Sequence, residues 1–320
     1  MKPTARRTCA LALGAALALA AAPAPAAADG YPGYTASRYT PLTGGAADLT
    51  GAEKAGCAEG EVGRSGPRVL FFGTQQSDGR LRQPGTSSGS RTPRSATSHA
   101  VAVAAAWAEG FTACSPGGAT AELALGVNNK EDGGASASGA GRDWARVVES
   151  AAEKAATSKV RIAGAVDAEP SWSSPEWARS WVDAYVSATG SRLYAVNSAD
   201  SCPEYGSSSA SCANGWKLSD VYYVASGASA QIQAVPQIYR TNGTQARQWA
   251  AVSAWGAKHS SGPVRFVGSM SQRTACNQRG GCKGTDNTAK TAWSQLRAEL
   301  NAHEETRVGD LPYASDMRWP

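Results

Sequence analysis

The hydrophobic and polar positions of the chain alternate between two periods. Short apolar runs of strand length are separated by longer stretches with apolar residues at helical spacing. The run from Val69 to Phe72 is apolar at every position, as is typical of a strand covered on both faces. The pattern predicts strands at 68–75, 121–129, 160–169, 192–197, 220–226, 234–240 and 264–272. It predicts helices at 95–113, 142–156, 175–188, 245–258 and 287–300.

Strands that alternate with helices pair in parallel, with the helices covering the sheet. The order therefore predicts an α/β protein with a (β/α)8-type TIM barrel in residues 67–320, as a single domain. No eighth strand is evident, so the barrel is expected to be irregular or incomplete, and a doubly wound open sheet is the alternative. Residues 29–66 have no clear periodicity and are predicted to form an irregular N-terminal arm.

The first 28 residues have the pattern of a signal peptide. Basic residues precede an apolar run at 10–22, and small residues precede Asp29. We expect this leader to be removed and the mature protein to be secreted to the extracellular space. The pair Arg6-Arg7 leaves open whether export is general or of the twin-arginine type.

The charge balance excludes two classes of partner. Lys and Arg number 31 against 26 for Asp and Glu, a formal net charge of +5. Lys2, Arg6 and Arg7 lie in the leader, so the mature chain carries 28 against 26, or +2. Such a balance does not fit a protein that binds nucleic acid or an anionic membrane mainly through its charge. No other segment has 18 uninterrupted apolar residues, so we expect a soluble protein without a membrane span, and a monomer.

The cysteines predict a disulfide framework. Cys9 lies in the leader, and the remaining six can pair in 15 ways. Two of the pairs consist of cysteines that lie in the same predicted loop, so local pairing is the simplest arrangement for them. The two cysteines that remain then form the third pair. The predicted disulfides are Cys202 with Cys212, Cys276 with Cys282, and Cys57 with Cys114. Zinc binding by these thiols is disfavoured because the chain has no CxxC pair and an oxidising compartment is expected.

The strand at 160–169 ends in two acids that carry the candidate chemistry. Asp167 and Glu169 are two residues apart, so they share a face with Ala163 and Ala165. Carboxyls that point into a barrel mouth have raised pKa values unless they are compensated, and a raised pKa suits a general acid. The alternative is structural, with Asp167 capping a turn and Glu169 paired with an arginine.

Other strand ends are also polar, and together they predict a binding ring suited to hydroxyl and N-acetyl groups. Trp172 adds an aromatic face for a sugar ring. The remaining candidates for substrate binding are Gln75, Asn128, Asn197, Asp200, Gln237 and Gln272, with Tyr239 as a third candidate catalytic residue. The chain has no GxSxG, GxGxxG, P-loop or HExxH motif, and its three histidines are far apart. We therefore expect no cofactor and no metal.

The stretch from Gly164 to Glu169 resembles the strand end of glycoside-hydrolase-like TIM barrels, in particular family 18 chitinases and family 25 lysozymes. The resemblance implies that Glu169 is the proton donor and that Asp167 positions the substrate N-acetyl group. It also implies that Tyr239 supports the oxazolinium path of the chitinase type. The chain departs from the chitinase pattern at Ala165, where that family has a further aspartate. It departs from the lysozyme pattern in its first strand, which ends in Gln75 rather than in an acid.

These observations predict a secreted glycoside hydrolase that acts on an N-acetylhexosamine-containing polysaccharide such as peptidoglycan or chitin, with a polysaccharide as its partner. The alternative is a catalytically inactive barrel that binds cell-wall glycan or a protein partner.

Overall fold

The computed structural model describes residues 30–320, of which Tyr31–Pro320 form one compact unit. The predicted signal peptide, residues 1–28, lies outside the described residues, and its removal stays a prediction.

A sheet of parallel strands forms the centre of this unit. The strands in the described residues are β1 (Thr35–Tyr39), β2 (Gly66–Gln75), β3 (Arg80–Arg82), β4 (Ser95–Ala96), β5 (Ala121–Asn128), β6 (Val160–Asp167), β7 (Leu193–Ala195), β8 (Ile232–Ala234), β9 (Gly268–Ser271) and β10 (Tyr313–Arg318). Eight of them are parallel and follow one another in the order β8-β7-β6-β5-β2-β1-β10-β9. The short strand β3 pairs antiparallel with β2, and β4 pairs antiparallel with β3.

The two ends of this order meet through isolated parallel bridges. Phe266 bridges to Ala234, and Met270 bridges to Gln237 just after β8. The amide of Met270 donates to the carbonyl of Pro236 at 2.8 Å. The sheet is therefore a nearly closed parallel barrel, which confirms the predicted fold class.

Helices follow the strands and cover the outside of the barrel. The helices are α1 (Ala46–Val62), α2 (Thr97–Cys114), α3 (Ala137–Ala155), α4 (Pro175–Ala188), α5 (Leu218–Tyr222), α6 (Thr244–His259), α7 (Arg273–Gln278) and α8 (Ala289–Asn301). Short 3-10 turns lie at Glu131–Gly133 and Glu304–Thr306, and a π-helical turn at Tyr223–Gly227.

Two hydrophobic clusters correspond to the two faces of the strands. The smaller one fills the barrel and includes Phe71, Ala163, Ala165 and Met270. The larger one lies between strands and helices and contains the neighbouring positions on the same strands, such as Phe72. Because side chains alternate along a strand, the small residues of β6 leave room inside the barrel below Asp167.

Two expectations for secondary structure are corrected. Residues 29–66 were expected to be irregular, but they contain β1 and α1. The strand predicted at 220–226 is instead helical, formed by α5 and the π-helical turn. Val221, Val224 and Ala225 are all buried there, and a spacing of three and four places them on one helical face.

The eighth strand is β10, which pairs in register with β1, residues Thr35 to Arg38 facing Ser315 to Arg318. Both strands alternate small and polar residues rather than running apolar, so hydrophobic pattern did not reveal them. Inside the barrel the hydroxyls of Ser37 and Ser315 hydrogen-bond at 2.7 Å. Two hydroxyl groups therefore occupy positions inside the barrel at which the hydrophobic pattern predicts apolar side chains.

The helices α1 and α2 pack at unusually short range. A Cβ atom added to Gly56 would lie 1.9 Å from the carbonyl oxygen of Trp107, and one added to Gly110 would lie 2.0 Å from that of Glu53. The two helices are also joined by the disulfide between Cys57 and Cys114. The glycines allow the backbones to approach, and the disulfide holds them there.

The predicted disulfide pattern is confirmed in the described residues. Cys57 pairs with Cys114, Cys202 with Cys212, and Cys276 with Cys282. None of the helices in residues 30–320 is both long and apolar enough to cross a membrane.

Candidate functional site

Asp167 is the last residue of β6 and lies at the carboxyl end of the barrel, only 2% exposed. Amides from two other strands hold its carboxyl group. Asn128, the last residue of β5, donates to Oδ2 at 3.2 Å. Gln237, from the segment after β8, donates to Oδ1 at 2.9 Å. Three segments of the barrel wall therefore converge on one buried carboxyl.

Glu169 follows two residues later and shares a side-chain hydrogen bond with Asp167. Burial, and then the negative charge of Asp200, raise the pKa of Glu169 to about 7. Burial raises the pKa of Asp167 well above its usual range, and the charge of Glu169 raises it further. Both carboxyls therefore hold a proton more tightly than an exposed acid does, and the raised pKa values belong to the coupled pair.

Lys130 supplies positive charge beside this pair. It follows β5, and its charge lowers the pKa of both Asp167 and Glu169. Its Nζ atom lies 4.5 Å from the ring centre of Trp172, in a cation–π contact. The ring of Trp172 thus packs against a cation at the edge of the site, and the side chain is only partly exposed.

Two phenols lie near enough to the carboxyls to feel their charge. Burial raises the pKa of Tyr239 well above its usual range, and nearby Tyr39, Asp167 and Glu169 raise it further. Burial also raises the pKa of Tyr39, with smaller contributions from the same two acids. Both phenols therefore stay protonated over the whole ordinary pH range and remain able to donate a hydrogen bond.

Asn197 and Asp200 lie after β7, beside the acids. Oδ1 of Asn197 accepts a hydrogen bond from the amide of Ala168 at 2.9 Å, which fixes the backbone between the two acids. The Nδ2 atom of Asn197 is buried and has no hydrogen-bond partner among the described residues. Asp200 pairs with Arg240, with 3.1 Å between Oδ1 and Nε. Its charge acts on Glu169 from this position.

Two predicted site residues lie elsewhere. Gln75 is placed on the helix side of β2, where its Nε2 donates to the carbonyl of Ala140 and its Oε1 accepts from Trp181. The pairing of β2 with β5 shifts in register between Phe71 and Thr74, so simple alternation fails there. Gln272 donates to the carbonyl of Thr285 and holds its own loop.

The structure brings together Asp167, Glu169, Tyr239, Asn128, Asn197, Gln237, Asp200 and Trp172 at one end of the barrel. Sequence reasoning missed Lys130 and Tyr39. Lys130 directly follows Asn128 and Asn129, so its position after a strand end was a usable signal. Tyr39 ends a strand without an apolar pattern, and no sequence feature marked it.

The structural alternative for the acids is not what the described residues form. Neither Asp167 nor Glu169 has an arginine partner among the ion pairs of residues 30–320. The only group of three or more His, Cys, Asp or Glu side chains close enough for one cation in that part of the chain is Cys57, Glu61 and Cys114. Its two cysteines are joined in a disulfide and therefore offer no thiolate ligand.

No family model matches the chain, and no curated protein matches it. A solved structure that is similar is described as a sugar phosphate isomerase/epimerase from Parabacteroides distasonis. The sequence identity is 10%, the TM-score is 0.40, and the alignment covers 88% of this chain and 98% of the other.

These findings correct the functional expectation. The resemblance to glycoside hydrolases finds no support in any matching family, and the similar structure is named as an isomerase/epimerase. The prediction of a hydrolase of peptidoglycan or chitin is corrected on this point, because it rested on the short stretch from Gly164 to Glu169 alone. The chain departs from the two glycoside-hydrolase patterns at Ala165 and Gln75. The structure also places the side chain of Gln75 outside the barrel, against the carbonyl of Ala140.

Proposed function

We propose that the protein is an acid–base enzyme that isomerises or epimerises a small polyhydroxylated carbonyl compound such as a sugar. The observation that carries the proposal is the hydrogen-bonded pair of Asp167 and Glu169, in which burial raises the pKa of Glu169 to about 7. A group that exchanges its proton near neutral pH is suited to general acid–base catalysis.

The two acids have different roles in this proposal. Asp167 keeps its proton and donates it in the hydrogen bond to Glu169, held in place by Asn128 and Gln237. Glu169 is partly exposed, so a substrate can reach it. Glu169 is then the base, and Asp167 is a positioning residue that fixes its orientation and its pKa.

The neighbouring groups suit a hydroxylated ligand. Tyr39 and Tyr239 remain protonated and are hydrogen-bond donors, and the free Nδ2 of Asn197 is a further donor. A buried donor without a partner is costly, and a ligand oxygen would satisfy it. Several donors around one base favour a substrate rich in hydroxyl and carbonyl oxygens.

The reaction balances without a co-reactant. The Glu169 carboxylate removes the proton from the carbon next to a carbonyl group, and the C–H electrons form a C=C bond while the carbonyl π electrons move to oxygen. A phenol stabilises the resulting enediolate by donating a hydrogen bond. For isomerisation, protonated Glu169 delivers the proton to the former carbonyl carbon, while the hydroxyl proton of the deprotonated carbon passes to the former carbonyl oxygen and a new C=O bond forms at the deprotonated carbon. For epimerisation, the enediolate turns in the site, so that Glu169 returns the proton to the opposite face of the same carbon.

Proton exchange with solvent gives a direct test. Aldoses, ketoses and their phosphates are incubated with the protein in D2O, and loss of the C–H signal next to the carbonyl is followed by NMR. We expect exchange with the wild type and a loss of about 10²- to 10⁴-fold in Glu169→Gln. Glu176→Gln is the matched control, because this exposed acid lies on α4 outside the site. An exchange rate in Glu169→Gln equal to that of the wild type contradicts the proposal, as does the absence of exchange with every compound.

We also propose that the protein is exported. The support is that the six cysteines outside residues 1–28 all pair in disulfides, which persist in oxidising compartments. Sequencing the N-terminus of the protein recovered from culture medium tests this, with Asp29 as the expected first residue. Retention in the cytoplasm with six free thiols would overturn it.

A further inference from the structure

Two arginines lie side by side near the carboxyl ends of β1 and β10. Arg38 and Arg318 are register partners in adjacent parallel strands, so their side chains project from the same face of the sheet. The neighbouring residues Tyr39 and Met317 belong to the cluster inside the barrel. The arginines therefore point outward, away from Asp167 and Glu169.

Neither guanidinium has a counter-ion among the described residues. No hydrogen bond or ion pair of either side chain occurs in residues 30–320, and the Nε atom of Arg318 is buried without an acceptor. Glu59 acts on Arg38 through its charge, but its Oε2 atom already accepts hydrogen bonds from Arg68 and from the amide of Ala36. Like charges placed opposite each other in a sheet are destabilising. A bound anion would reduce the repulsion between the two guanidinium groups.

A cavity of about 310 Å³ adjoins Arg38. Most of its wall is apolar, with Leu70, Trp107, Ala52 and Pro41 among the lining residues.

One acid, Asp48, also lines this cavity. Its Oδ2 atom accepts hydrogen bonds from the amides of Thr43 and Gly44 and contacts Nε2 of His99 at 2.8 Å, while its Oδ1 accepts from the Thr43 hydroxyl. Asp48 is thus engaged by its own neighbours and does not neutralise Arg38.

We propose that this cavity binds a small organic anion whose carboxylate or phosphate head lies against Arg38, which lines the cavity, and whose apolar part occupies the cavity. Arg318, the register partner of Arg38, adds positive charge beside the head group. Two guanidinium groups provide several donors in fixed planes, the arrangement that recognises carboxylate and phosphate oxygens. The apolar wall selects an anion with a hydrophobic substituent over inorganic phosphate. Tyr39 lines this cavity and also lies near the acid pair, but the two arginines point away from the acids, and the anion site does not depend on the function proposed for them.

Calorimetry with four probes tests the ligand class. Phenyl phosphate and benzoate carry both features, inorganic phosphate has only the charge, and benzyl alcohol has only the ring. We expect phenyl phosphate or benzoate to bind more tightly than the other two probes, with an affinity that falls as salt rises. Comparing the first two shows which head group the arginines prefer. Binding of benzyl alcohol as tight as that of both anions, or no binding of any probe, overturns the proposal.

Variants test the position of the site. Arg38→Met and Arg318→Met each remove one guanidinium, and we expect each to weaken binding of the preferred anion by about tenfold or more. Arg146→Met, an exposed arginine on α3, is the matched control and should leave binding unchanged. Unchanged affinity in both site variants contradicts the assignment.

Thermal unfolding adds a readout that does not depend on a successful binding assay. Without ligand, each site variant should have a Tm equal to or above that of the wild type, because like-charge repulsion is relieved. With the preferred anion the order should reverse, because only the wild type is stabilised by binding. A wild type that is more stable than both variants without anion, and equally shifted with it, refutes the unpaired arginine arrangement.

Discussion

Gln237 donates a hydrogen bond from Nε2 to Oδ1 of Asp167 at 2.9 Å, across 70 residues of sequence. The same amide also donates to the carbonyl of Val196 at 3.0 Å, so its orientation is fixed by the backbone after β7. The amide thereby links the closing segment of the barrel to the acid pair. Its hydrogen bonds lower the pKa of both Asp167 and Glu169 and oppose the effect of burial.

Removing this amide should shift the pH dependence of catalysis. In the proposed reaction Glu169 must be ionised, so kcat/KM rises with pH through the pKa of Glu169, about 7. In Gln237→Leu we expect the midpoint of this rise to move to higher pH, because a hydrogen bond that stabilises the carboxylate is lost. The pH profile of the C–H exchange rate measures the shift. Gln231→Leu removes an amide that holds Thr189 and Ser191 instead, and its midpoint should not move.

Lys130→Gln should shift the profile in the same direction. The positive charge of Lys130 lowers the pKa of Glu169, and its loss leaves the carboxylate less stabilised. Lys159→Gln is the control, since this lysine binds the carbonyl of Ser115 instead. A midpoint that stays in place in Lys130→Gln would separate this lysine from the acid pair.

The free energy of unfolding should report the raised pKa of Glu169 as well. The folded state binds this proton more tightly than the unfolded chain does, with a pKa of about 7 against 4.5. Stability is therefore lost as pH rises from about 4.5 to 7. Because the amide introduced by Glu169→Gln cannot ionise, this variant should gain stability relative to the wild type over this window, by on the order of 1–3 kcal/mol. Denaturant unfolding at pH 4 and pH 8 measures the difference, and Glu176→Gln should show none.

Glu59→Gln should destabilise the protein strongly. Arg68 is fully buried, and its Nε lies 3.2 Å from Oε2 of Glu59. Removing the carboxylate leaves a buried guanidinium without its counter-charge, and we expect a loss of about 3–5 kcal/mol in the free energy of unfolding. Asp143→Asn breaks an exposed ion pair with Arg146 and should change stability by less than about 1 kcal/mol. Equal effects of the two variants would contradict the importance of burial here.

The close contact between α1 and α2 predicts a further effect. Gly110→Ala would place a methyl group on the backbone of Glu53, so the helices must separate. We expect a loss of about 1–3 kcal/mol in the free energy of unfolding, measured with the disulfides intact. Gly118→Ala has open space around the new methyl group and should leave stability nearly unchanged.

The sequence predicted those parts of the barrel whose strands are apolar. β5 and β6 are apolar until they end at Asn128 and Asp167. Because the carboxyl ends of parallel strands lie at the same edge of a sheet, the sequence predicts that these two residues lie close together. Tyr39 was missed because β1 reads Thr-Ala-Ser-Arg-Tyr, with hydroxyls in the barrel interior where apolar side chains were sought. The wrong strand at 220–226 arose because a short apolar run has no period that separates strand from helix.

Side-chain direction at strand ends was the harder problem. Gln75 is the last residue of β2, as Asn128 is the last residue of the adjacent strand β5. The register shift in β2 nevertheless turns the side chain of Gln75 toward the helices. The sequence contains no marker of that shift. The joint position of Gln237 and Asp167 likewise depends on closure of the sheet, which residue spacing alone does not determine.

The strand that completes the barrel is the last of the described strands in chain order. β10 lies between β1 and β9, so the wall of the barrel has a gap until Tyr313–Arg318 are in place. Until then β1 is paired only with β2 and keeps one unpaired edge. A nascent chain should therefore keep a gap in its barrel wall, accessible to chaperones or to an export channel, until residues 313–318 have left the ribosome.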